Sequence, residues 1–375
     1  MSKKYFLIFV FLLIVKVNFC QDRRVITTAV PFLMISADAR ASGLGEQGVA
    51  TTPDAFSQHW NPSKYIFSDN LSGVGISYTP YLSKLVSDVF LANINYYKVI
   101  NERSSWSTSF KYFSLGDIDI IQNPQDIPIL ENPNEFTLDA SYSLKLSDYF
   151  AMAVTGRFLM SDVKLQSVDS DSDSASSFAV DISGFYQSDE QAFKNFNGIF
   201  RAGFNLSNLG PRMKYEELGK KNFIPTNLKF GVAFDFILDS SNKFSLNLEL
   251  NKLLVPSPSI PIYNSNDQII GYNQADVGFL SGVFKSFGDA PDGFSEELKE
   301  ITLAFGMEYL YNDSFAIRAG YFNEHENKGA RKYLTFGTGF KFNEINLDLS
   351  YLLSTSSVIS PLENTLRFSF TYNFY

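Results

Sequence analysis

The sequence predicts an all-β protein, a transmembrane antiparallel β-barrel of about fourteen strands (residues 71–375) behind a short N-terminal plug (residues 21–70). Three observations lead there. From Asn364 to Tyr375, Leu366, Phe368, Phe370, Tyr372 and Phe374 take every second position, with Thr365, Arg367, Ser369, Thr371 and Asn373 between them. Successive side chains of a strand point to opposite faces, so this pattern suits a strand between hydrocarbon and a wet interior. Composition agrees: 37 Phe and 20 Tyr bring aromatics to 16%, yet only 19% of residues are charged. The third observation is the alternation of short and long connections. An edge strand of a soluble sandwich would also alternate, but a sandwich has no reason to sort its loops by parity.

In chain order, residues 1–20 read as a secretory signal. Lys3 and Lys4 form its basic start, Tyr5 to Val15 an apolar core too short to span a membrane, and Cys20-Gln21 the cleavage junction. Cys20 is the only cysteine, so the chain forms no internal disulfide. The rival reading makes Cys20 the lipidated first residue of a lipoprotein, with the bulky Phe19 a poor fit. Apart from this leader there is no long apolar run, and a membrane helix needs about 18 apolar residues. In the plug, Thr52-Pro53-Asp54 reads as a helix start with Thr52 as N-cap, and the helix must stop by Trp60 or Asn61 because Pro62 follows.

Strands are expected to begin near Leu71, Asp88, Arg103, Glu135, Tyr149, Ser176, Gly198, Thr226, Lys243, Glu300, Ser314, Lys332, Ile345 and Asn364. Alternation is clear in Phe136, Leu138, Ala140, Tyr142, Leu144 and Leu146, and in Leu228, Phe230, Val232, Phe234 and Phe236. Lys229, Asp235, Asn247 and Glu249 fall on the opposite phase. A charge facing lipid at the midplane costs about 2–4 kcal/mol, so these residues face the lumen. Short turns at 146–148, 239–242, 311–313 and 343–344 interleave with long links at 116–134, 162–175, 208–225, 253–299, 323–331 and 354–363. Within the longest link, Val277 to Phe287 reads as an extra strand or a rim helix.

The formal charge of −9, without a cluster of Lys and Arg, argues against a nucleic-acid partner. Gly43, Gly45 and Gly48 spell a dinucleotide fingerprint, but no apolar strand precedes them. Tight turns that let backbone pass close to the barrel wall are the better reading. Asp169, Asp171 and Asp173 resemble the opening of a calcium loop, except that Ser174 stands where Gly is needed and Val180 where Glu is needed. His59 and His325 are the only histidines, too few for a metal site, and no Ser nucleophile motif stands out. No catalytic residue, metal or cofactor is expected, and the chain reads as a non-enzyme. The longest link carries apolar residues and a stiff Pro-rich stretch, so Pro258, Ile260, Ile262, Tyr263, Ile269 and Ile270 are the candidate partner-binding loop.

The plug carries a resemblance. Ala29-Val30-Pro31-Phe32-Leu33-Met34-Ile35-Ser36, Asp38-Ala39-Arg40-Ala41-Ser42-Gly43-Leu44-Gly45, Gly48-Val49-Ala50-Thr51, Asp54-Ala55 and His59-Trp60-Asn61-Pro62-Ser63-Lys64 resemble the start of PorV proteins, outer-membrane components of the type IX secretion system of Bacteroidetes. The signature positions are Pro31, Phe32, Asp38, Arg40, Gly43, Gly45, Gly48, Asp54, Asn61 and Pro62. The looser pattern of glycines, Asp-Ala and Asn-Pro is shared with FadL-like transporters of hydrophobic compounds. The resemblance implies an outer-membrane shuttle in protein export. Such a protein would sit beside a SprA/Sov-type translocon, accept cargo by its C-terminal domain and pass it to a PorU-type attachment complex, with long loops facing the cell exterior. The alternative is a FadL-like transporter, which requires an apolar path through the lumen. Lys229, Asp235, Arg367 and Asn373 do not supply one.

Overall fold

A computed structural model describes residues 24–82, 86–121, 127–163, 174–215, 221–258, 261–264, 269–272, 277–356 and 363–374. The signal segment with Cys20, the acidic run Asp169 to Asp173, Ile260 and Tyr375 lie outside the described residues. Fourteen antiparallel strands form the wall. They are β1 (Ser72–Pro80), β2 (Val89–Asn101), β3 (Ser104–Leu115), β4 (Asn134–Ser147), β5 (Phe150–Asp162), β6 (Ala175–Gln187) and β7 (Asn197–Leu209), then β8 (Asn227–Ile237), β9 (Asn242–Leu253), β10 (Ile301–Tyr311), β11 (Phe315–Asn323), β12 (Lys332–Phe342), β13 (Ile345–Ser354) and β14 (Leu366–Phe374). Each pairs with its sequence neighbours, and β14 returns to β1 from Ser72↔Phe374 to Tyr78↔Phe368, so the sheet closes without an edge. The observed starts lie within two residues of the expected ones.

Side-chain exposure follows the two-residue period. On β14 burial alternates strictly, with Phe368, Phe370, Tyr372 and Phe374 outside and Arg367, Ser369, Thr371 and Asn373 inside. Lys229 and Asp235 on β8, and Asn247 and Glu249 on β9, turn inward as the desolvation argument requires. At the short-turn end, Phe193, Phe196, Phe234, Phe236 and Phe244 pack ring to ring outside the wall, part of an interfacial aromatic girdle. The connection 188–196 is the exception to the short turns of that end, and its Gln191–Ala192 segment pairs with β7.

Residues 24–70 run through the lumen from the long-loop rim, where Arg24 meets Glu296, to the short-turn end, where Asn70 precedes β1. A 3-10 turn, Pro31–Met34, lies at the long-loop end. Helix α1 (Ala39–Gly43) packs on β11 to β14, helix α2 (Ser57–Trp60) follows, and a second 3-10 stretch, Pro62–Phe67, packs along β4 to β6 before β1 begins. The expected cap at Thr52 is corrected here. Residues 52–54 are not helical, and α2 starts at Ser57 with Phe56 in the cap position, four residues past the expected one. The competing partner decides this: Thr52 Oγ1 and its carbonyl accept from Arg40 at 2.6 and 3.2 Å, while Asp54 Oδ1 takes the N–H of Phe56 at 2.9 Å. Pro62 does stop α2 at Trp60. In the longest link, residues 279–285 form a helix, α3 (Phe279–Lys285), followed by α4 (Phe294–Lys299).

Candidate functional site: the clamped plug

The signature residues meet the wall at successive depths. Near the long-loop end, Phe32 stacks on Phe113 with ring centroids 5.9 Å apart, and Leu33 joins it in an apolar collar with Val89, Leu91, Leu159, Phe322 and Leu352. Pro31 opens this turn and is itself exposed.

Below the collar, Asp38 caps α1 by accepting from the Ala41 N–H at 2.7 Å. Its other oxygen accepts from Trp60 Nε1, also at 2.7 Å. Burial, with Asp54 nearby, pushes the Asp38 carboxyl up to about 6 despite these two bonds. The Trp60 ring lies under the Lys229 ammonium, 4.3 Å from its centroid, and over Gly48, where an added Cβ would come within 2.4 Å of the indole. Glu249 on β9 receives the N–H groups of both Gly48 and Val49 at 3.0 Å. Asn61 Nδ2 bridges plug to wall, donating to the carbonyls of Val49 and Gly184 at 3.0 Å each. The Pro62 carbonyl accepts from Ser143 on β4 at 2.9 Å. Lys64, fully buried, donates to the Gly48 carbonyl at 2.7 Å and to Thr51 Oγ1, and burial draws its pKa down to about 8.

Gly45 is required by conformation and by space. Its φ is +84°, and it lies so close to β11 that a Cβ on Gly320 would fall 2.1 Å from the Gly45 nitrogen. Gly43 meets Gly337 of β12 in the same way, with 3.0 Å left for a Cβ.

Towards the short-turn end, a chain of alternating charges takes over. Arg40 donates to Asp54 at 2.9 Å and to both oxygens of Glu308 at 3.0 and 3.2 Å. Glu308 also pairs with Arg318, which reaches Asp348 at 2.6 Å. Arg201 forks onto Asp235 and donates to the Ala50 carbonyl at 3.0 Å. These groups border a cavity of about 480 Å³ that opens at the short-turn end and is lined by Arg40, Asp54, Arg201, Asp235, Arg318 and Asp348 among others.

The sequence placed the signature residues in the plug, and the structure brings Asp38, Arg40, Gly43, Gly45, Gly48, Asp54, Asn61 and Pro62 into one clamp. It leaves Pro31 outside that clamp. The wall half of the clamp, Arg201, Glu249, Glu308, Arg318 and Asp348, was not singled out, apart from the lumen assignment of Glu249. The available signal was a charge at a lumen-phase position of a strand. The proposed partner loop is apart from the clamp. Pro258 is half-buried, and Pro261–Tyr263 pairs with Ile269–Tyr272 in a small hairpin that contains Ile262, Tyr263, Ile269 and Ile270. The same link exposes Leu280, Phe284, Phe287, Phe294 and Leu298, with Phe284 and Phe294 each 76% exposed. Helix α4 is anchored beneath by charge: Lys328 bonds Glu296 and Glu300 at 2.7 and 2.9 Å, Lys252 bonds Glu297 and Glu300, and Arg24 reaches Glu296. Among the described residues no group of three metal-ligating side chains converges.

A closed fourteen-stranded wall, polar within, apolar without and filled by its own N-terminal segment, is a FadL-like outer-membrane barrel. The chain has the fold of the TodX monoaromatic hydrocarbon channel deltaS2 mutant, with a TM-score of 0.52 and 10% identity over 91% of this chain and 100% of that one. It is similarly related to the toluene transporter TbuX of Ralstonia pickettii, with a TM-score of 0.50 and 9% identity over 92% of this chain and 100% of that one. At such identities the likeness is one of fold. No curated protein sequence matches the chain significantly. The family described as type IX secretion system protein PorV matches residues 18–260, which take in the plug and the strands to β9. The chain belongs to that family and is an outer-membrane component of type IX secretion.

Proposed function

We propose that this barrel acts as the shuttle of the secretion system. It docks beside a SprA/Sov-type translocon, accepts cargo by a type IX C-terminal domain and hands it to a PorU-type attachment complex. Residues 1–20 are its removed signal, the short-turn end faces the periplasm, and the long loops face the cell exterior. The observation that carries the reading is the family match over a span that includes the plug signature. The lumen supports it. Above, the apolar collar is closed around Phe32 and Leu33, and below, the large cavity is bordered by ion pairs, so the described residues offer no greasy path for a hydrocarbon. The exposed apolar side chains of α3 and α4 supply a surface for a protein partner instead.

Gentle detergent extraction of the tagged protein from its native outer membrane, followed by mass spectrometry, tests the proposal. Co-purification of a very large barrel and of proteins sharing a C-terminal domain is the expected result. A partnerless barrel carrying a hydrophobic ligand would sink it and promote the transporter reading, which the fold likeness to hydrocarbon channels keeps as the second candidate.

A further inference from the structure

The long link between β3 and β4, residues 116–134, carries a hairpin that neither the clamp nor the α3–α4 surface uses. Ile118–Ile120 pairs antiparallel with Ile129–Glu131 in a two-stranded sheet that joins no other strand among the described residues. Its base is fixed. Gly116 turns the chain with a φ of +82°, Asp88 Oδ2 accepts from the Asp117 N–H at 2.8 Å, and Asn132 Nδ2 donates to Asp117 Oδ1 at 2.5 Å. Beyond that base the hairpin is apolar and bare, with Ile118, Ile121, Ile129 and Leu130 exposed and Ile127 87% exposed. Two strands alone are marginal in water, and folded proteins ordinarily blunt or cover an open edge.

The two edges differ. Pro128 and Pro133 flank Ile129–Glu131, and proline lacks the N–H that a neighbouring strand needs, so this edge is blunted. Around Ile118–Ile120 there is no proline from Ser114 to Asn123, and that edge keeps its donors and acceptors. Its side chains decide what fits beside it. Ile118 and Ile120 share one face with Ile129, while Asp119 turns to the other face with Leu130. From Gly116 to Asn134 the sequence holds four carboxylates, Asp117, Asp119, Asp126 and Glu131, and no Lys, Arg or His. Asp119 is exposed, and among the described residues no cation lies within ion-pair distance of it. A strand laid along this edge therefore meets β-branched apolar side chains at one phase and a carboxylate at the other. Opposite charges directly across a pair of strands are favourable and like charges are not.

We propose that the open Ile118–Ile120 edge is a strand-addition site for an extended segment of a partner protein in which Lys or Arg alternates with β-branched apolar residues. Backbone pairing supplies the attraction. Asp119 selects a basic side chain opposite it, and Ile118 and Ile120 select apolar ones on either side. The site is separate from the α3–α4 surface and stands whether or not the shuttle reading holds.

Fluorescence anisotropy of short labelled peptides titrated with the full-length barrel in detergent tests the proposal. An alternating Lys-Val peptide of about eight residues should bind about tenfold tighter than its Glu-Val counterpart, and its affinity should fall with added salt. N-methylating every Val or, in a second peptide, every Lys removes the backbone donors of one edge and keeps all the charges. At least one of the two should lose binding, and retention by both would reduce the contact to charge attraction and overturn strand addition. In the barrel, the exposed Asp119→Lys should reverse the preference between the Lys-Val and Glu-Val peptides, whereas Asp148→Lys, at a short turn of the opposite end, should leave it unchanged. Equal affinity of the two peptides for the unsubstituted protein, or an unaltered preference in Asp119→Lys, would defeat the proposal.

Discussion

At the long-loop end, Phe32 and Leu33 sit in a collar of side chains with no charge to satisfy, whereas at the short-turn end Arg40 reaches two carboxylates and a threonine within one side-chain length. The collar is non-directional and tolerates small shifts. The ionic chain from Asp54 through Arg40, Glu308 and Arg318 to Asp348 fixes orientation, because each member has a partner only in one arrangement. The same segment is thus packed at one end and keyed at the other. A plug held only by packing could turn in a round lumen, and the charges prevent it.

The largest effect should come where both halves depend on close approach. Gly320→Val places a side chain into the Gly45 backbone, and plug seating should be lost, at a cost of about 4 kcal/mol or more. Limited proteolysis within residues 24–70 reads this out, and continued resistance would refute the close-approach argument. Next, Arg40→Met leaves Asp54 and Glu308 without their shared cation and should cost about 3–5 kcal/mol in denaturant titration. Arg40→Lys should recover only part of it, since one ammonium cannot reproduce the fork. In the collar, Phe32→Ala should cost about 3 kcal/mol. Because it is far from Arg40, the double variant should be additive within about 0.5 kcal/mol, and a larger departure would show that the two ends are one cooperative unit.

Smaller effects belong to the rim. Burial raises the Glu296 and Glu300 carboxyls, but their bonds to lysine outweigh it and hold both below the ordinary 4.5. Their contribution is therefore present above pH 4.5 and is lost as the pH falls through the lower folded values. Amide hydrogen exchange across residues 294–299 should show protection at pH 7 that is lost as the pH is taken well below 4.5, and Lys328→Met should reduce the protection already at pH 7. Smallest of all, Lys243→Gln breaks an exposed pair with Asp313 and should change stability by less than about 0.5 kcal/mol.

The wall was legible because a lipid-facing strand leaves the sequence little freedom. An inward Lys229 or Asp235 between outward Phe230, Val232 and Phe234 defines register at once. The plug was legible only as a motif. Thr52-Pro53-Asp54 has the chemistry of a helix start, yet Arg40 claims Thr52, and local propensity yields to that contact. Glu308 and Asp348 read simply as lumen-phase acids until folding sets them beside Arg40 and Arg318.

Sequence by itself determined the barrel, its strand count, the phase of each strand and the presence of a distinct N-terminal segment, since each is written in side-chain periods and turn lengths that act over a few residues. Only the tertiary structure decided which charge meets which and where the glycines touch the wall. Those partners lie up to some three hundred residues apart in sequence, as with Arg367 and Ser42, and the closure of the sheet is what brings them together.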